Sequence, residues 1–200
     1  MTTARRAARA AVVLVVLGRA FLASAMESSA AVAGQPALMA PDARVRGVSS
    51  RMVAVINDAA ARSKTFHALV DQIGGTDGIV YVAEGQCGHG VRACLLHTMT
   101  LMGPNRVLRI LIDPRNVDRD LIGSVGHELQ HALEVLSDHN IRSGSAMLLF
   151  YKKEGLNEGS RFETDAAIKV GRAVRAELAE LDASVSASSS SRGASGNAKP

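Results

Sequence analysis

The sequence predicts an α+β domain in which a small mixed sheet is followed by a helix with a His-Glu-x-x-His pattern and by a C-terminal helix. Three observations predict it. Two stretches of helical period come first, then short β-branched apolar runs, then three more helical stretches. Serine, glycine and proline punctuate these stretches at positions that suit caps and turns. Only 3% of the residues are aromatic and none is Trp, so the core must be built from Ala, Val, Leu, Ile and Met.

The elements follow in order. Ser49 or Ser50 caps a first helix with Met52, Val55, Ile56 and Ala59 on one face. Ser63 caps a second, with Phe66, Leu69, Val70 and Ile73 inward, and Gly74 and Gly75 stop it. Residues 79–83 are short, apolar and β-branched, as a strand requires. The runs 91–102 and 106–112, joined by Gly103-Pro104-Asn105, read as a hairpin that Asp113-Pro114 ends. Asp118 caps a helix over about 118–137, where Ile122, Val125, Leu129, Ala132, Leu133 and Leu136 form one apolar stripe. A shorter helix is expected over about 145–154. The clearest helical pattern covers about 161–181, with Ala167, Val170, Val174, Leu178 and Leu181 as its buried stripe.

Both ends of the chain differ in character from this domain. Arg5, Arg6 and Arg9 precede the apolar run 10–17, and Ala23-Ser24-Ala25 follows, which is the layout of a cleaved secretory signal over residues 1–25. The run is too short to span a bilayer, so no membrane attachment is expected after cleavage. Residues 26–45, rich in Ala, Ser, Gly and Pro, read as a linker, residues 46–181 as the domain, and the Ser-rich stretch 182–200 as a disordered tail. Loss of Arg5, Arg6, Arg9 and Arg19 takes Lys plus Arg from 23 to 19, equal to the 19 acidic residues. A formally neutral mature chain removes the main argument for a nucleic-acid partner. The expected location is therefore outside the cytoplasm, periplasmic or secreted. There Cys87 and Cys94 form a disulfide across the turn that Gly88 and Gly90 permit. The rival reading groups Cys87, His89, Cys94 and His97 as a zinc cluster, at a spacing unusual for one.

The chemistry is concentrated in Gly126-His127-Glu128-Leu129-Gln130-His131. Histidines at i and i+4 stand one turn apart on one helix face and can reach a single zinc ion. The glutamate beside the first can take a proton from water activated by that metal. A catalytic zinc site needs a third protein ligand. The candidates are Glu154, Glu158, Glu163, Asp165 and His139. Glu163 is preferred because, in a helix over 161–181, it falls four residues before Ala167 on the buried stripe, where a carboxylate needs a partner or a metal. Asp165 falls on the polar face. Tyr151, His97 and Arg161 are candidates for stabilising an oxyanion, with none preferred. His67 and His89 read as surface residues.

The segment Gly126–His131 resembles the active-site helix of the zincin metallopeptidases, and with Glu163 downstream the layout is similar to the gluzincin group. The resemblance spans about residues 79–175. It implies a sheet before the active helix, Zn2+ on His127, His131 and Glu163, Glu128 as general base, and a peptide or protein substrate bound along the sheet's edge strand. Gluzincins often carry an Asp four residues after the ligand glutamate to support a histidine. Ala167 stands there in this chain, so Glu134, one turn beyond His131, is a candidate for that support. The expected activity is zinc-dependent peptide-bond hydrolysis. The alternative is a zinc-binding envelope or regulatory module without turnover, since little chain is left for a separate substrate lobe. The sequence leaves the oligomeric state open.

Overall fold

The computed structural model describes residues 42–88, 90–154, 156–158 and 161–194, all within one compact unit. The predicted signal peptide, residues 26–41 of the linker, His89 and residues 195–200 lie outside the described residues.

The architecture is α+β, with a small mixed sheet and five helices among the described residues. Strand β1 (Val45–Gly47) leads into helices α1 (Ser50–Arg62) and α2 (Lys64–Gly74), then β2 (Gly78–Glu84), β3 (Ala93–Leu95), β4 (Thr100–Met102) and β5 (Asn105–Ile112). Helices α3 (Arg119–Ser137) and α4 (Gly144–Glu154) follow, then a two-stranded pair β6 (Leu156–Glu158) and β7 (Arg161–Glu163), and α5 (Asp165–Ala194). The main sheet has the order β1-β2-β5-β3, with β4 also paired to β5. Strands β1, β2 and β5 are parallel, and β3 and β4 run antiparallel to β5.

The caps that the sequence predicts are in place. Ser49 accepts the Met52 N–H and Ser63 accepts the Phe66 N–H. Period-two alternation along the strands puts Val45, Val80, Val82, Leu108, Ile110 and Ile112 into one core with the helices. Their neighbours Arg46, Tyr81 and Arg109 form a lateral row on the other, less buried face. In α3 the predicted apolar stripe is buried except for Leu133, which is partly so. No described helix is long and apolar enough to cross a membrane.

Leu181, expected on the buried stripe of the last helix, is 39% exposed, and the run 91–102, expected as one arm of a hairpin, is split into β3 and β4. Four further features differ from the sequence reading. The predicted linker runs into β1, whose Val45 is fully buried and pairs with Val80. Three residues are too few for a periodic signal, so the strand could not be told from linker. The expected helix over 161–181 begins only at Asp165, because the Thr164 hydroxyl accepts the Ala167 N–H and caps it there. Residues 161–163 are instead β7, paired antiparallel to β6. Glu163 is therefore on a strand just before the C-terminal helix, not on that helix. Finally, α5 extends to Ala194, through most of the stretch expected to be disordered.

Candidate metal centre

Helix α3 is the platform, and both its ends are anchored. At its start, Asp118 Oδ1 accepts the Leu121 N–H at 2.8 Å and is itself held by Arg92 at 2.7 Å. At its end, the guanidinium of Arg106, reaching from β5, donates to the carbonyls of Val135, Leu136, Asp138 and Ile141 at 2.6–3.1 Å. Val135 and Leu136 are carbonyls that the last turn of a helix leaves without helical partners, Asp138 is the C-cap, and Ile141 lies in the loop beyond. Arg106 is fully buried, and Asp77 balances its charge at 2.6 Å. Behind the middle of α3, helix α5 crosses at close range over glycines. A Cβ on Gly171 would stand 3.1 Å from the Gly123 carbonyl and 3.2 Å from His127 Cβ.

Against this frame the side chains converge. His131 Nε2 lies 3.1 Å from His127 Nε2, and His127 Nε2 lies 2.9 Å from Glu163 Oε2. One ligand atom from each of the three residues falls within 4.8 Å of the other two. The outer nitrogen of each ring is engaged elsewhere. His131 Nδ1 sits 3.1 Å from Glu134 Oε2, and His127 is hydrogen-bonded to the backbone of Ala167. Glu128 is fixed by the Leu95 N–H of β3, which donates to its Oε2 at 2.7 Å. Because the next amide, Leu96, donates to the Arg109 carbonyl of β5, the Leu95 amide belongs to the outer edge of β3.

Electrostatics follow from this packing. Burial opposes the charge on His127, but the bond to Glu163 and the nearby Glu128 outweigh it and raise the ring's pKa. Burial pushes the Glu128 carboxyl up, only partly opposed by His131, His127 and the Leu95 N–H. Glu134 is also partly desolvated, yet its bonds from His131 and Thr164 hold it below the usual carboxylate range.

A cleft of about 460 Å³ opens over the group, walled by Val91, Ala93, Leu95 and Phe162, with His97 and the Cys87–Cys94 bridge also on its lining. Cys87 and Cys94 are bonded, with Cα atoms 5.8 Å apart, so they are not a metal cluster. Gly88 and Gly90 supply the turn, at φ of 77° and 72°. His97 packs its ring against Tyr151 and Phe162, with centroids 5.9 and 5.6 Å away, and burial followed by the charge of His131 lowers its pKa. Tyr151 is buried and spends its hydroxyl on the His131 carbonyl at 2.7 Å, which makes it a brace for the helix.

No protein-family model, curated protein or solved structure matches the chain. The site is therefore read from its own chemistry. With each outer ring nitrogen facing an acceptor, neutral histidines would set two Nε2 lone pairs against each other at 3.1 Å beside a carboxylate. A proton or a cation between them relieves that repulsion. The edge of a tetrahedral zinc site with N/O ligands is about 3.3 Å. Two of the three edges, His127–His131 at 3.1 Å and His127–Glu163 at 2.9 Å, lie a few tenths below it, and one ligand atom from each residue falls within 4.8 Å of the others, a donor set that suits a cation of that kind.

The other third-ligand candidates are elsewhere. Asp165 and His139 are exposed, and Glu154 is exposed and paired with Lys153. The side chains of Glu158 and Arg161 lie outside what is described. Sequence reasoning missed the Leu95 amide, the Ala167 backbone and Thr164. The two backbone partners carry no side-chain signal, but Thr164 had one, since a threonine three residues before Ala167 is an ordinary helix cap.

Proposed function

We propose that this chain is an exported zinc-dependent hydrolase that cleaves peptide bonds, built on the zincin plan with a gluzincin-type ligand set. The observation that carries the reading is the meeting of His127 Nε2, His131 Nε2 and Glu163 in one cleft, beside a half-buried Glu128. Support for export comes from the Cys87–Cys94 bridge, a bond that persists in oxidising compartments.

His127, His131 and Glu163 hold the ion, which when bound polarises the scissile carbonyl and makes water nucleophilic at neutral pH. Glu128 takes a proton from the attacking water as its oxygen bonds to the carbonyl carbon. It then delivers that proton to the amide nitrogen as the C–N bond breaks, releasing an amine and a carboxylic acid, which gives up its remaining proton to solvent. The Leu95 N–H fixes the orientation of the Glu128 carboxyl for both transfers. Edge strand β3 lines the cleft through Ala93 and Leu95, and with the Leu95 N–H given to Glu128 an extended peptide would pair with the strand through its other outward-facing backbone groups.

The test is Glu128→Gln in the purified zinc-loaded chain, assayed on a library of unstructured peptides. The wild type is expected to cleave, and the variant to keep its zinc while losing about 100-fold or more in kcat. A variant as active as the wild type contradicts the mechanism. Stoichiometric zinc in a wild type that cleaves no peptide leaves the non-catalytic zinc-binding module as the reading.

A further inference from the structure

Glu134 stands on α3 one turn beyond His131, and its carboxylate is only 14% exposed. Burial of that kind costs free energy unless the charge is partnered. Its partners are specific. Oε2 faces His131 Nδ1 at 3.1 Å, and Oε1 accepts the Thr164 hydroxyl at 2.7 Å. Thr164 directly follows Glu163 in the chain, and its Oγ1 also accepts the Ala167 N–H at 3.1 Å. The backbone of Ala167 in turn is hydrogen-bonded to His127. The contacts close into a ring, His131–Glu134–Thr164–Ala167–His127, that touches both histidines and the residue adjoining Glu163.

We propose that Glu134 is the positioning residue that assembles the metal site before the metal arrives, holding His131 with Nε2 directed inward and, through Thr164, holding the Glu163 strand against α3. This rests on the zinc-site reading above, but part of it concerns the metal-free protein. A carboxylate on Nδ1 selects the tautomer protonated there and leaves the Nε2 lone pair for ligation. One carboxylate with an oxygen on each element removes two independent motions, so the loss of either contact should loosen the same site.

Two variants divide the contacts. Glu134→Gln keeps the shape and removes the charge. Thr164→Val keeps the volume and removes the hydroxyl, and Thr164→Ser restores it. The first readout needs no metal: imidazole 15N chemical shifts of His131 at about pH 8, where an ordinary histidine is neutral. The Nδ1-protonated form is expected to dominate in the wild type and to lose that dominance in Glu134→Gln. The second readout is zinc affinity by competition with a chromophoric chelator. Each variant is expected to bind about 10–100-fold more weakly, with Thr164→Ser near wild type. The double variant should be less than additive, since both changes break one bridge. The third is the visible spectrum of the cobalt-substituted chain, which should change in Glu134→Gln if the ligand geometry relaxes. An unchanged His131 tautomer together with zinc affinity within about twofold of wild type overturns the proposal. A wild type that binds no zinc would instead defeat the metal-site reading, while the tautomer measurement still decides the role of Glu134. Should Glu134→Gln fail to fold, Thr164→Val, which keeps the carboxylate, decides by its zinc affinity: about tenfold weaker binding supports the bridge, and wild-type affinity overturns it.

Discussion

His127 and His131 are the part of the site that a sequence reader can place, because i and i+4 on a helix fix their separation before any tertiary structure is considered. Their Nε2 atoms face each other at 3.1 Å, with Glu163 Oε2 at 2.9 Å from His127. Replacing His131 or Glu163 with Ala should lower zinc affinity by more than about 100-fold, beyond the loss expected for an outer partner, as read by chelator competition. Retained affinity in either would remove that residue from the ligand set. Glu163 was legible for a partly mistaken reason. A carboxylate in an apolar setting does need a partner, but its setting is a strand end, not a helical stripe. Leu95 and Ala167 could not be found in advance, because any residue type offers the same backbone groups.

At the scale of elements, the least legible feature is what anchors α3. Arg106 is an arginine within an apolar strand pattern, and nothing in that pattern says that it turns inward to bind four carbonyls at the end of a helix and in the loop just past it. Asp77 balances it, and the hydrogen bonds from Arg106 hold the Asp77 carboxyl below its ordinary range despite some desolvation. A carboxylate with a lowered folded pKa contributes stability above its unfolded pKa, and the contribution is lost as pH falls through the folded value. Asp77→Asn should therefore cost about 2 kcal/mol at neutral pH by denaturant titration. The gap between variant and wild type should close as pH drops below about 4. A gap that stays constant to low pH would show that the Asp77 charge is not what matters. The disulfide gives a second test at this scale. It ties the loop after β2 to the three-residue edge strand β3, which holds Glu128 through Leu95. Reduction should lower stability by about 2–3 kcal/mol on the loop-entropy model and reduce turnover, while zinc stays bound. Loss of zinc on reduction would place the cysteines in the metal site.

At the scale of the molecule, fold class and helix order were legible because amphipathic helices and β-branched runs carry their period in the sequence, and the Ser49, Ser63 and Asp118 caps mark their starts. The short pairings β1 with β2 and β6 with β7 were not, since strands of three residues show no period and are fixed by their partners. The tail shows a different limit. Its composition cannot build a core, yet a helix already nucleated gains one hydrogen bond for each residue added. Serine hydroxyls at 184, 186 and 188 bond back to the carbonyls of Leu181, Asp182 and Val185 at 2.7–2.9 Å. Val185 is 61% exposed, so this length adds no core. Deleting residues 183–200 should leave zinc affinity unchanged and stability within about 0.5 kcal/mol by thermal melt. A larger loss would show that the extension supports the domain.

On the proposed reading, two imidazoles from α3 and a carboxylate from β7 hold one zinc ion. Zinc K-edge X-ray absorption on the loaded chain, with metal content determined on the same sample, tests it most directly. One zinc per chain is expected, in a nitrogen and oxygen shell at about 2.0–2.1 Å with two imidazole signatures, one of which disappears in His131→Ala. A chain that retains no stoichiometric zinc, or a zinc shell that His131→Ala leaves unchanged, would contradict it.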